Sequence, residues 1–250
     1  MLPSIRTLAK AVLPGPTRRW ISAQQWRLHC WPLVGWVRFG SLRRLQPISR
    51  VFGFDRGQCI DRYYIERFLS FHAQDIRGHV LEIGDDAYTR AFGGDRVTES
   101  DVLHAVEGNP KATIVADLSC AHSLPPNIFD CIVLTQTLPF IYDLRAAIRN
   151  LYCLLRAGGV LLVTWPGISQ ISRYDMERWG DYWRVTSLAA HRLFEEVFPA
   201  ANVAVEAYGN VLAAVAFLHG LAAQDLRQKE LDHHDPDYEV IITIRAVKPR

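Results

Sequence analysis

Carboxylates recur in this sequence where apolar runs stop. Glu82 and Gly84 close the run 79–84, with Asp85 next; Asp101 closes 97–101, with Glu99 as the competing acid; Asp117 closes 112–117. A fourth run, 131–134, stops on Thr135, Gln136 and Thr137. In a parallel α/β sheet, ligands bind outside the carboxyl ends of the strands, so these side chains would line one crevice. A carboxylate ending the second strand can accept both hydroxyls of a ribose, which points to a nucleoside ligand. Asp101 lies 17 residues beyond Gly84, the spacing that role needs. Ordinary turn and helix-cap roles compete at each of these acids.

A second concentration of reactive types fills 165–186, a long polar and aromatic connection after the next apolar run. Long connections in compact domains tend to be functional. Asp175 and Asp181 are candidate bases for a hydroxyl nucleophile, with Tyr174 and Trp183 shaping the pocket. Salt bridges to Arg173, Arg178 or Arg184 are the alternative use of those carboxylates. His104 and His122 are reserve candidates.

The elements that must position these residues alternate along the chain. Runs 131–134 and 160–163 lack polar alternation, as expected of strands covered on both faces, and a helical segment with a Gly-Gly turn joins them. Apolar positions 60, 64, 65, 68 and 69 fit one helical face, with Tyr63 or Tyr64 able to face the ligand. A helix capped by Thr186 or Ser187 over 187–198, a strand over 201–206, a buried helix over 211–223 and a last strand over 238–247 complete the expected order.

From Ile128 to Ile168 this pattern, F-D followed by spaced leucines and L-x-x-G-G-x-L-L, resembles the second half of a class I S-adenosylmethionine-dependent methyltransferase. Glu82-Ile83-Gly84 resembles the start of that family's E-x-G-x-G-x-G turn, but Asp85-Asp86-Ala87-Tyr88 stands where further glycines belong. The resemblance covers residues 55–250. It implies an α/β, Rossmann-like, doubly wound sheet of seven strands in order 3-2-1-4-5-7-6 with an antiparallel last strand, and S-adenosylmethionine as cofactor. It also implies cofactor contacts from Glu82, Gly84, Asp85, Asp101, Asp117, Leu118, Thr135 and Gln136. Asp117 would take the adenine amino group and Leu118 would cover the ring.

At 250 residues and 49% hydrophobic, the chain can bury a large core. No apolar run reaches the ~18 residues of a membrane-spanning helix. The five cysteines (30, 59, 120, 131, 153) show no metal spacing and suit a reducing cytoplasm. Residues 1–54 hold nine basic residues and no acidic one, so with a net charge of +2 the remainder carries −7. Four of the seven tryptophans, Trp20, Trp26, Trp31 and Trp36, lie in that arm. Arginine with tryptophan suits a membrane surface, a polyanion or a saccharide; packing on the acidic domain and a targeting role also stay open. Nucleic acid is the weaker partner, since the pI of 8.3 is modest.

After the fourth strand there is no N/D-P-P-Y/F motif, which disfavours exocyclic amino nitrogens, and no carboxylate spacing for a metal. The expected reaction is metal-independent methylation of an oxygen, with a nitrogen as the second option, on a small molecule; a hydroxyl of a saccharide or glycoconjugate is preferred by comparison with surface-polysaccharide methyltransferases. A non-sugar natural product, and a degenerate scaffold acting as a non-catalytic partner, are the open alternatives.

Overall fold

A computed structural model describes residue 32, residues 36–120 and residues 126–250. Five of the arm's nine basic residues and three of its four tryptophans, with Cys30 and His122, lie outside these. The chain divides between Leu45 and Gln46 into two compact units. In the first, the described part is a short 3-10 turn, Gly40–Leu42.

The second unit is built on seven strands: β1 (Gly78–Ile83), β2 (Val97–His104), β3 (Ile114–Val115), β4 (Phe129–Thr135), β5 (Leu155–Pro166), β6 (Val203–Tyr208) and β7 (Ile241–Val247). Their order is β3-β2-β1-β4-β5-β7-β6, as the resemblance implied. The first five strands pair in parallel; β7 runs antiparallel to both β5 and β6. The described helices are α1 (Ile60–Phe71), α2 (Leu144–Leu154), α3 (Arg173–Met176), α4 (Ser187–Glu195), α5 (Val211–Leu218) and α6 (Gln228–Asp232).

The unbroken apolar runs have a simple cause. On β4, Cys131 and Val133 pack with Ile65, Phe68 and Leu69 of α1, while Ile132 and Leu134 pack with Ile148 and Leu151 of α2 and Phe194 of α4. Side chains alternate across a strand, so a sheet covered on both faces needs apolar residues at every position. Caps set where helices begin. Asp143 accepts the Ala146 amide at 3.0 Å before α2, and Thr186 accepts that of Ala189 at 3.3 Å before α4.

Two expectations about elements, the end of the second strand and the buried helix over 211–223, are corrected. β2 runs three residues past Asp101, to His104. The crossover from β1 to β2 is shortened to a single π-type turn, Thr89–Gly93, and a 3-10 turn. A Cβ on Gly93 would run into the methyls of Val97 and Ile76, so the tight return to β2 depends on glycine there. The apolar helix α5 is only half buried. Ala213, Ala214, Ala216 and Phe217 enter the core, whereas Val211, Leu212, Val215 and Leu218 stay exposed. Among the described residues no helix is long and apolar enough to cross a membrane.

Candidate active site

Two cavities share walls over the carboxyl ends of the parallel strands. The larger, about 670 Å³, is bordered by Gly84 after β1, His104 ending β2, Asp117 and Leu118 after β3, and Gln136 after β4. The smaller, about 270 Å³, is bordered by Asp61 and Arg62 in the first turn of α1, Thr135, and Arg184, with phenylalanines 52, 54, 140 and 217. Gln136, Phe140 and Asp175 border both.

Strand β1 delivers its acid and its glycine to different tasks. Glu82 is buried and accepts the amides of Thr89 at 2.7 Å and Tyr88 at 3.2 Å, so it caps the shortened crossover and does not line the cleft. Burial pushes its carboxyl up, against those hydrogen bonds. Gly84 does line the cleft, at φ +85°, with open space where a Cβ would stand. Its carbonyl accepts from Asn109 Nδ2 at 2.6 Å. Asp85 accepts the Ala87 amide at 3.1 Å and does not border the cleft.

Asp101 is not at a strand end. It pairs across to Leu81, takes His79 Nε2 at 2.7 Å and Thr113 Oγ1 at 2.6 Å, and does not border the cleft. The physical reason is strand length: β2 extends three residues further, and His104 takes the terminal position. Its competitor Glu99 is exposed. His79, Glu99 and Asp101 do come within 4.8 Å of one another, but the His79–Asp101 pair accounts for the arrangement and none of the three borders the cleft. His104 Nδ1 lies 2.7 Å from the Val106 carbonyl, which can only accept, so Nδ1 carries the proton. In the neutral ring Nε2 is then a free acceptor. Trp179 packs edge-on against this ring at 5.5 Å.

The third and fourth strand ends stand where the sequence put them. Asp117 borders the cleft; its Oδ1 accepts the Ser119 amide and hydroxyl, both at 2.8 Å, which leaves Oδ2 for another donor. Leu118 is buried beside it and accepts from Asn150 Nδ2 through its carbonyl. Gln136 has φ +50°, one of three described non-glycine residues on the left-handed side. Its amide is held by Thr164 O at 3.0 Å and Oγ1 at 3.3 Å, so the sheet maintains a strained turn at the junction of the two cavities. Phe52, at φ 59°, is a second strained residue on the smaller cavity.

In the connection after β5, the acids separate by surroundings. Asp175 accepts the Ser172 hydroxyl at 2.5 Å and faces both cavities. Asp181 is not free for chemistry: its side chain is fully buried, bonded to Arg184 at 2.6 Å and 2.9 Å and to the Ser172 amide at 2.9 Å. Burial would raise its carboxyl, but the Arg184 guanidinium and the Ser172 amide hold it below the usual carboxylate range. Tyr174 is 66% exposed and lies under Arg178, 3.6 Å from ring centroid to guanidinium carbon, so it shapes neither cavity. Trp183 donates to the Ile141 carbonyl at 3.1 Å and packs on the core; Trp179 and Tyr182 line the cleft in its place.

Sequence reasoning missed Asp61 and Arg62. It picked the right helix but the wrong residues, since Tyr64 donates to the Leu231 carbonyl at 2.9 Å and Tyr63 to Asp232 at 2.7 Å, both away from the cavities. The first turn of an amphipathic helix opening toward the strand ends was the available signal. Burial pushes the Asp61 carboxyl up, with Arg62 only partly opposing it.

Strand order, the glycine turn after β1 and the cleft over the strand ends define the scaffold of a class I S-adenosylmethionine-dependent methyltransferase. The profile of a family described as "Methyltransferase domain" matches residues 78–163, from the start of β1 into β5. That match spans about a third of the chain and lies within the parallel half of the sheet. A search of curated proteins found no match. Among solved structures, a candidate sarcosine dimethylglycine methyltransferase from Galdieria sulphuraria is similar in fold, with TM-score 0.50, 10% identity, and 75% of this chain and 86% of that chain covered. A SAM-dependent methyltransferase from Archaeoglobus fulgidus matches with TM-score 0.49 and 13% identity over 75% of this chain and 94% of that one. The N-methyltransferase NodS from Bradyrhizobium japonicum WM9, solved with S-adenosyl-L-homocysteine, matches with TM-score 0.49 and 15% identity over 84% and 97%.

Proposed function

We propose that this protein transfers the methyl group of S-adenosylmethionine to a hydroxyl of a small acceptor, preferably a saccharide or glycoconjugate, held in the 270 Å³ cavity. The observation that carries the reading is Asp175, a carboxylate on the wall shared by a nucleoside-sized cleft and a small aromatic pocket. The cleft residues fit the cofactor at the adenine end. Asp117 offers a free Oδ2 to the amino group, and Leu118 with Leu103 and Ile141 offers apolar cover. At the ribose end the fit differs from the family pattern, because His104 stands in for the expected acid. Its Nε2 accepts one hydroxyl where a carboxylate would take two.

The cofactor would supply a methyl group activated on a sulfonium. Asp175 accepts the hydroxyl proton as the acceptor oxygen becomes nucleophilic, a role worth roughly 10²–10⁴ in rate. Ser172 donates to the same carboxylate and so fixes its orientation. Phe52, Phe54, Phe140 and Phe217 exclude water and offer faces on which a sugar ring stacks. Gln136, rigidly held, sets the boundary between the two halves.

Calorimetric titration with S-adenosylmethionine and S-adenosylhomocysteine, followed by a radiolabelled acceptor screen, tests the reading. Binding in the micromolar range with label transferred to a hydroxyl supports it. Absence of heat with both ligands would sink it and leave the scaffold alternative, which the shortened crossover after Gly84 favours.

A further inference from the structure

The smaller cavity contains an arginine that no carboxylate bridges among the described residues. Arg62 is largely enclosed, yet among the described residues its guanidinium makes no salt bridge; the Tyr88 hydroxyl lies close enough to interact with it, and Nη1 is buried without a partner. The contrast with the other enclosed arginines is direct. Arg184, on the same cavity, is bonded through both terminal nitrogens to Asp181 and to the carbonyls of Gln170 and Trp183, leaving only Nε without a partner; Arg245 is forked onto Asp75 at 2.8 Å and 3.0 Å. Asp61 borders the cavity beside Arg62, but its Oδ1 accepts Arg62's own amide, at 2.7 Å, and reaches no guanidinium nitrogen. Phe54 lies 6.0 Å from the guanidinium carbon and supplies only an aromatic face.

Leaving a cation enclosed and unpaired is costly, and a guanidinium presents a planar fork that matches a carboxylate or phosphate. Arg62 also stands in the first turn of α1, a twelve-residue helix whose N-terminal end adds positive potential. Asp175 borders the same cavity and also the cleft. A ligand spanning the two would put its anion on Arg62 and its nucleophile against Asp175.

Building on the methyl-transfer reading, we propose that the acceptor carries a carboxylate or phosphate group and that Arg62 is the residue that binds it. Arg62 is therefore a specificity residue: it selects charged acceptors over neutral ones of the same shape and fixes which hydroxyl meets the base. Gln136, whose Nε2 is also buried without a partner, stands on the same wall.

The test uses the full chain and probe pairs that differ in charge: glucuronate against glucose, glucose 6-phosphate against glucose, and benzoate against benzamide. Binding is read by calorimetry with and without S-adenosylhomocysteine, so failure of the cofactor to bind is recorded separately from failure of the anion to bind. The expected result is that at least one anionic probe binds tenfold or more tightly than its neutral mate. Arg62→Met should abolish the preference while Arg62→Lys keeps part of it, with unchanged circular dichroism. The glucuronate and glucose 6-phosphate arms separate a carboxylate from a phosphate requirement. Equal binding within every pair, no binding of any anion, or an Arg62→Met variant that still prefers the anions would overturn the proposal.

Discussion

The two halves of the parallel sheet reach the cleft by different means. In the half built from β4, α2 and β5, long apolar strands stop on Thr135 and Pro166 and an Asp-capped helix joins them. In the half built from β1 and β2, the crossover is one irregular turn, and the acids that should serve the ligand serve the protein instead. Glu82 caps the turn and Asp101 locks onto His79 and Thr113. The difference teaches that a strand end is a place and not a residue type. When a strand lengthens by three residues, a different side chain arrives at that place, in this case His104.

Removing the proposed base is the harshest way to sharpen that comparison. Asp175→Asn should lower kcat by roughly 10²–10⁴ while leaving the S-adenosylhomocysteine Kd within a factor of about two; a parallel loss of cofactor affinity would show that Asp175 belongs to the binding wall. The two candidates on β2 give the next largest contrast. His104→Ala should weaken S-adenosylhomocysteine by about tenfold, near 1.4 kcal/mol, whereas Asp101→Ala should alter Kd by less than about twofold and lower Tm instead. If Asp101→Ala carries the larger affinity loss, the strand-end argument is broken.

The crossover itself is open to challenge through packing. Gly93→Ala should destabilise the fold by about 1–3 kcal/mol in a denaturant titration, since the new methyl has to displace Val97 or Ile76. An unchanged midpoint would mean the turn has slack. The smallest effect concerns pH. Asp181's carboxyl is held below the usual carboxylate range, so its contribution to stability is present in full above that range and is lost as pH falls through the depressed folded value. Thermal melts from pH 6 downward should show this acid loss, and Asp181→Asn should flatten it while lowering Tm at neutral pH.

The legible part of the site followed from patterns that survive in one dimension. Asp117, Leu118, Thr135 and Gln136 end strands whose apolar runs are bounded by polar residues, and all four border the cavities. Asp175 was legible as an acid in a long connection, but nothing local separated it from Asp181 or Tyr174. Only the fold places Arg184 against Asp181 and leaves Asp175 facing the cavities. Asp61 and Arg62 escaped notice because attention went to the aromatic pair next to them.

What the sequence determined by itself was the set of strands and the list of polar residues near their ends, because burial on two faces imposes a pattern that can be counted along the chain, while the strand order followed from the family resemblance. What tertiary structure decided was the use of each charge. A carboxylate's role depends on which guanidinium, imidazole or amide arrives within hydrogen-bond distance, and those partners come from elements as far apart in sequence as β1 and β2 or α1 and α6.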